Sequence, residues 1–122
     1  MFRVDYTAPA PFGGRAGTVT ATRDQLTAAW GAGEPQHYAD EKVTVEWRFR
    51  SPNGQTVTVR DYWWNAADEW SVVVANMCPP ELCGAGAELE RQRKDFHTAA
   101  AGLLDEFIAW SPFPACHGRR DS

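Results

Sequence analysis

The longest alternation of apolar and polar side chains runs from Lys42 to Ala75. Val43, Val45, Trp47 and Phe49 alternate with Thr44, Glu46, Arg48 and Arg50. A period of two gives a strand with one apolar and one polar face. Ser51-Pro52-Asn53-Gly54 follows and reads as a turn, because Pro sets φ at its start and Asn-Gly tolerates the positive φ of a tight reversal. Val57 and Val59 then alternate with Thr56, Thr58 and Arg60. Continued in phase, Asp61 and Trp63 point inward and Tyr62 and Trp64 outward. An inward Asp61 requires a hydrogen-bond partner. A β-bulge near Arg60 or Asp61 would instead turn Tyr62 and Trp64 inward. Asn65-Ala66-Ala67-Asp68 reads as a second turn, after which Trp70, Val72 and Val74 carry the apolar face and Val73 the other. The stretch predicts three consecutive antiparallel strands.

The flanking segments add shorter elements. Phe2 to Tyr6 predicts a short strand with Phe2, Val4 and Tyr6 on one side. Residues 7–17 hold two Pro and three Gly and read as a loop, and 18–21 as a brief extended piece. Thr22-Arg23-Asp24-Gln25 matches a capping box, which starts a helix over 23–30. Leu26, Ala29 and Trp30 form its apolar stripe, and Gly31 stands where a left-handed cap is wanted. Residues 77–86 predict an irregular stretch with one helical turn after Pro80. Residues 87–110 predict the long helix: Phe96, Ala100, Leu103, Leu104, Phe107 and Ile108 recur at spacings of three and four. Glu88 and Glu90 suit its first turn, and Ser111-Pro112 ends it. Residues 114–122 read as a surface tail. The expected architecture is a single α+β domain over 1–122: a two-layer fold with an antiparallel sheet, the long C-terminal helix packed on its apolar face and a short N-terminal helix beside it.

Bulk properties narrow the function classes. A chain of 122 residues buries enough surface to fold without metal or disulfide. A net charge of −4 disfavours a nucleic-acid backbone as partner. No apolar run approaches the roughly 20 residues of a membrane span, and Met1 to Asp5 carry no signal-peptide core, so the expectation is a cytoplasmic protein without a membrane partner. Three Cys in that compartment are expected as thiols; Cys78–Cys83, or either with Cys116, are the pairings open to oxidation.

The candidate chemistry is sparse. Cys78, Cys83, Cys116 and His117 would supply four soft ligands, but the five-residue step between the first two and the adjacency of the last two do not suit one zinc ion, and no metal or cofactor is expected. His37 beside Asp40 and Glu41 is the candidate general base of a small hydrolase, yet no nucleophile motif accompanies it. The unusual feature is the aromatic run Tyr62-Trp63-Trp64, with Trp47 and Trp70 nearby. Adjacent strand residues face opposite ways, so one of Trp63 and Trp64 is core and the other lies on an open face or edge. Trp and Tyr are enriched at protein contact surfaces. Arg48, Arg50 and Arg60 on the polar face extend that candidate surface. The same groups suit a nucleotide, stacked on an aromatic ring with its phosphate on an arginine, and the bland alternative is that these arginines pair with Glu46 and Asp61.

Thr22 to Gly31 (TRDQLTAAWG), an acidic loop, Glu46-Trp47-Arg48-Phe49, Asn53-Gly54 and Val57 to Trp64 (VTVRDYWW) together resemble small proteins encoded by bacteriophages and prophages. The resemblance covers residues 18–64, includes no catalytic motif and does not extend to the C-terminal half. It implies a phage-encoded accessory protein that binds and blocks a host protein, for example a defence component. The expectation is therefore a non-enzymatic binding protein, open to homodimer formation, with a nucleotide-type ligand or a small hydrolase as the alternatives.

Overall fold

The computed structural model describes residues 1–8, 16–35, 43–62, 67–74 and 80–117; at 43, 44, 62, 80 and 117 the description is of the backbone. Among the described residues seven strands, two α-helices and a 3-10 turn follow in the order β1 (Arg3–Val4), β2 (Gly17–Thr20), α1 (Arg23–Trp30), β3 (Glu34–Pro35), β4 (Val43–Arg50), β5 (Thr56–Tyr62), β6 (Glu69–Val73), the turn Pro80–Leu82, α2 (Ala87–Trp110) and β7 (Ala115–His117). The α+β architecture is as expected. All strands pair antiparallel in one sheet of order β1-β4-β5-β6-β2-β7, with β3 also on β4. β1 takes the Phe49–Arg50 end of β4 and β3 takes the Val45–Glu46 end, so two short pieces together cover one long edge.

The alternation along β4 and β5 sorts directly into two faces. Trp47 pairs with Val59 and Phe49 with Val57, and Val59 pairs in turn with Val72. These side chains join Val19, Leu26, Trp70 and, from α2, Leu103, Leu104 and Phe107 in one buried core. The α2 stripe is thus buried only over its second half; Phe96, Ala100 and Ile108 are half-buried. The remaining aromatics close one end of the core. The Phe49 ring lies 5.1 Å from Phe107 and 4.8 Å from Trp30, and Trp30 stacks parallel to Trp110.

Two tryptophans fix α1. Trp47 and Trp70 meet edge to face at 5.4 Å. The Trp70 indole N–H donates to Ala21 O (2.8 Å), just before the helix, and the Trp47 indole N–H donates to Gly31 O (2.8 Å), just after it. The capping box forms as the sequence predicts: Gln25 N donates to Thr22 Oγ1 and Thr22 N to Gln25 Oε1. Gly31 has φ 84°, and its N–H donates to Thr27 O. Of the predicted stripe only Leu26 is buried; Trp30 is half-buried and Ala29 exposed. An eight-residue helix tethered at both ends needs just one deep anchor.

The structure differs from expectation at both termini. Val4 is exposed while Phe2 is buried against Phe107 and Trp110, because the strand is only two residues long and Phe2 turns in past its end. The expected tail instead supplies β7, whose residues Ala115–His117 pair with Gly17–Val19. Gly17 permits this approach, since a Cβ there would lie 2.8 Å from Cys116 O. Among the described residues no helix is long and apolar enough to cross a membrane.

The indole of Trp47 also leaves no room above it. A Cβ at Gly33 would fall 2.6 Å from Val45 Cγ2 and 2.9 Å from Trp47 Cε2. Gly33→Ala is therefore expected to destabilise the protein by about 1–3 kcal/mol, through overpacking. Urea denaturation checks this; an unchanged midpoint would mean that the loop after α1 does not press on the ring.

Candidate functional site

The polar face of the sheet is where the sequence places Arg48, Arg50 and Arg60, and the structure gives each an internal partner. Glu46 is fully buried. Its Oε2 accepts from Arg48 Nε (2.7 Å) and its Oε1 from Arg60 Nε (2.8 Å). Glu46 and Arg60 are directly opposed across β4 and β5, so the pair lies in the register of the sheet itself. Arg48 reaches further, Nη1 donating to the carbonyl oxygen of the buried Ala8 (2.9 Å), which follows β1 in the chain. Arg50 turns the other way along the strand: Nε donates to Asp5 Oδ2 (3.1 Å) and Nη1 to Gly54 O (3.0 Å). Thr58, paired with Arg48 and with Val73, is fully buried and its hydroxyl has no hydrogen-bond partner among the described residues, which would cost about 1–3 kcal/mol.

A charge that has lost its water must be matched by donors, or it shifts to its neutral form or destabilises the fold. Two guanidinium groups on one carboxylate meet that need, and their side chains are only 17% and 11% exposed. The Nε donors of Arg48 and Arg60 are both taken up by Glu46, so these two groups serve the buried carboxylate.

The phase question at Asp61 resolves through the partner strand. Between Val43 and Glu46 β4 carries one more residue than the facing Arg60–Tyr62 segment, so the irregularity lies in β4. Asp61 Oδ1 accepts from Val45 N (2.9 Å), a backbone donor that the bulge displaces from the ladder. The inward aspartate thus has the hydrogen-bond partner it requires. Trp63 and Trp64 lie outside the described residues, as does the Tyr62 side chain, so the aromatic half of the candidate surface has no position here. His37 and Cys78 lie outside them too. His97 is an exposed α2 residue with its ring 5.5 Å from Phe96, and Cys83 and Cys116 are exposed thiols. Among the described residues no group of three or more His, Cys, Asp or Glu is arranged to hold a metal ion.

A surface the sequence reading passed over lies where the N-terminus meets the end of α2. Met1, Phe2, Pro52, Glu106, Ala109 and Trp110 line an open groove of about 400 Å³. Met1 is 85% exposed, Ala109 and Pro52 are exposed, and Trp110 is half-buried against Phe2 and Phe49. The signal for it was Trp110, an aromatic at the last position of the long helix, but only the inward turn of Phe2 brings the opposite wall into place. Comparison of the chain with protein-family models, with curated proteins and with solved structures yields no match.

Two measurements probe the polar network. Glu46→Ala leaves two arginines without their carboxylate and is expected to cost about 3–5 kcal/mol in urea unfolding, well beyond an ordinary surface change; a loss under 1 kcal/mol would mean that water serves the arginines equally well. Asp5 gives the pH dependence. Its carboxylate accepts from Thr7 Oγ1 and Thr7 N and from Arg50, and these donors lower its pKa from 3.8 to about 2. Because the folded value is the lower one, this stabilisation is present above pH 3.8 and is lost as pH falls toward 2. An NMR titration of the Asp5 carboxyl is expected to show the low midpoint, moving upward in Thr7→Ala. A midpoint near 3.8 in both proteins would contradict the hydrogen-bond account.

Proposed function

We propose that this protein acts by binding a partner protein rather than by catalysing a reaction, as a phage-type accessory protein that inhibits or sequesters a host component. The observation that carries the reading is the open apolar groove beside Trp110. Partly exposed aromatic and aliphatic side chains gathered at one rim are the composition of protein contact surfaces, and a shallow open groove suits a protein segment better than an enclosed small molecule. The resemblance of residues 18–64 to phage-encoded proteins supplies the biological setting. The nucleotide alternative ranks below it. It would draw on Arg48, Arg50 and Arg60, which are engaged by Glu46 and Asp5, and releasing the buried pair would cost about 3–5 kcal/mol.

Native mass spectrometry of the tagged protein recovered from a host-cell extract tests the reading, with Ala109→Arg and Trp64→Ala run beside the unaltered chain. The expected result is a bound protein subunit that Ala109→Arg removes, with thermal stability unchanged because Ala109 is exposed. Loss in Trp64→Ala alone would move the contact surface to the aromatic stretch at residues 62–64. A small added mass in place of a subunit would overturn the reading in favour of a ligand-binding protein.

A further inference from the structure

Resting on that reading, we propose that the groove takes a partner segment presenting an arginine or lysine next to an apolar side chain. Two features of the groove point to a cation. Among the described residues Glu106 is the one acidic group of the lining; it is exposed and makes no hydrogen bond or ion pair with another described residue. The second feature is the helix end. The groove lies at the C-terminus of α2, where the backbone dipole leaves a partial negative charge, and α2 carries no basic residue in its last turn. A positive side chain is favoured at such a helix end, and α2 itself supplies none in its last turn.

The apolar walls define the rest of the occupant. The half-buried Trp110 offers aromatic surface, and Met1 a flexible thioether that adapts to different apolar shapes. An arginine or lysine set between Glu106 and the Trp110 ring would combine an ion pair with a cation–π contact. Its apolar neighbour would cover Met1 and Ala109. An acidic segment would face both Glu106 and the helix end and would be rejected, which is how a shallow groove gains selectivity.

The probes are two short peptides, acetyl-Leu-Arg-Phe-amide and acetyl-Leu-Glu-Phe-amide, titrated into the full chain while the Trp110 indole and the Glu106 and Ala109 amides are followed by NMR. The expected result is saturable shifts at these three residues with the arginine peptide and at least tenfold weaker binding of the glutamate peptide, the sum of one lost and one repulsive charge contact. Glu106→Gln should weaken the arginine peptide about fivefold, on the scale of one exposed ion pair, without moving the melting temperature. No saturable shift, equal affinity for the two peptides, or unchanged affinity in Glu106→Gln would each overturn the proposal. Should the peptides fail while Ala109→Arg still strips a protein partner in native mass spectrometry, the binding reading stands and only the cationic occupant falls.

Discussion

A carboxylate with no access to water sits on β4, and the arrangement around it follows from the need to satisfy it. Glu46 lies on β4 next to Trp47, and both side chains are completely buried, one on each face. The strand is therefore covered on both sides, although its sequence alternates as a half-exposed strand would. Arg60 reaches Glu46 across the ladder and Arg48 along the strand. A slip of β5 by one residue would send Arg60 to the apolar face and leave the carboxylate short of a donor, so the ion cluster and the apolar alternation specify the same register. Arg48 then carries the constraint outward, because its second contact holds Ala8 and with it the N-terminal segment.

The opposite face rests on Trp47 in the same way. Its ring packs against Trp70 and Trp30, its N–H holds the end of α1, and Gly33 passes close over it. Tryptophan buried with its N–H paired combines a large apolar area with one directional contact. That combination lets a helix with one deeply buried residue hold a defined position. The aromatic cluster continues through Trp30 to Trp110 and Phe2, so the groove at the end of α2 is an outcrop of the core, built on packed rings rather than on a loop.

Much of this architecture was legible in the sequence. The period of two along residues 43–50 and 56–62, the capping box at Thr22 and the helical spacing within residues 87–110 each signal local structure through local contacts, and each element lies where expected. What was not legible depends on long-range pairing. Ala115–His117 lack the length and the β-branched residues that announce a strand, and they become one only because Gly17 lets β2 come close. The bulge opposite Asp61 involves a choice between two strands that either sequence alone leaves open. Arg48, Arg50 and Arg60 were open to two readings, a contact surface or partners of Glu46 and Asp61; Arg48 and Arg60 do pair with Glu46, and the alternation placed them on the polar face without information on whether that face meets solvent. The groove was missed because its walls come from positions 1–2, 52 and 106–110, which nothing in the sequence brings together.

The buried carboxylate requires Arg48 and Arg60 to serve the fold rather than a ligand. The direct measurement is NMR of the arginine Nε–H groups at neutral pH, with hydrogen exchange followed in the absence and presence of a nucleoside triphosphate. An Nε–H bound to a buried carboxylate exchanges slowly, so two protected Nε–H signals, assigned to Arg48 and Arg60 and unmoved by the nucleotide, are the predicted result. Fast exchange at both, or a saturable shift of either on adding nucleotide, would contradict it and would return these arginines to the role of ligand donors.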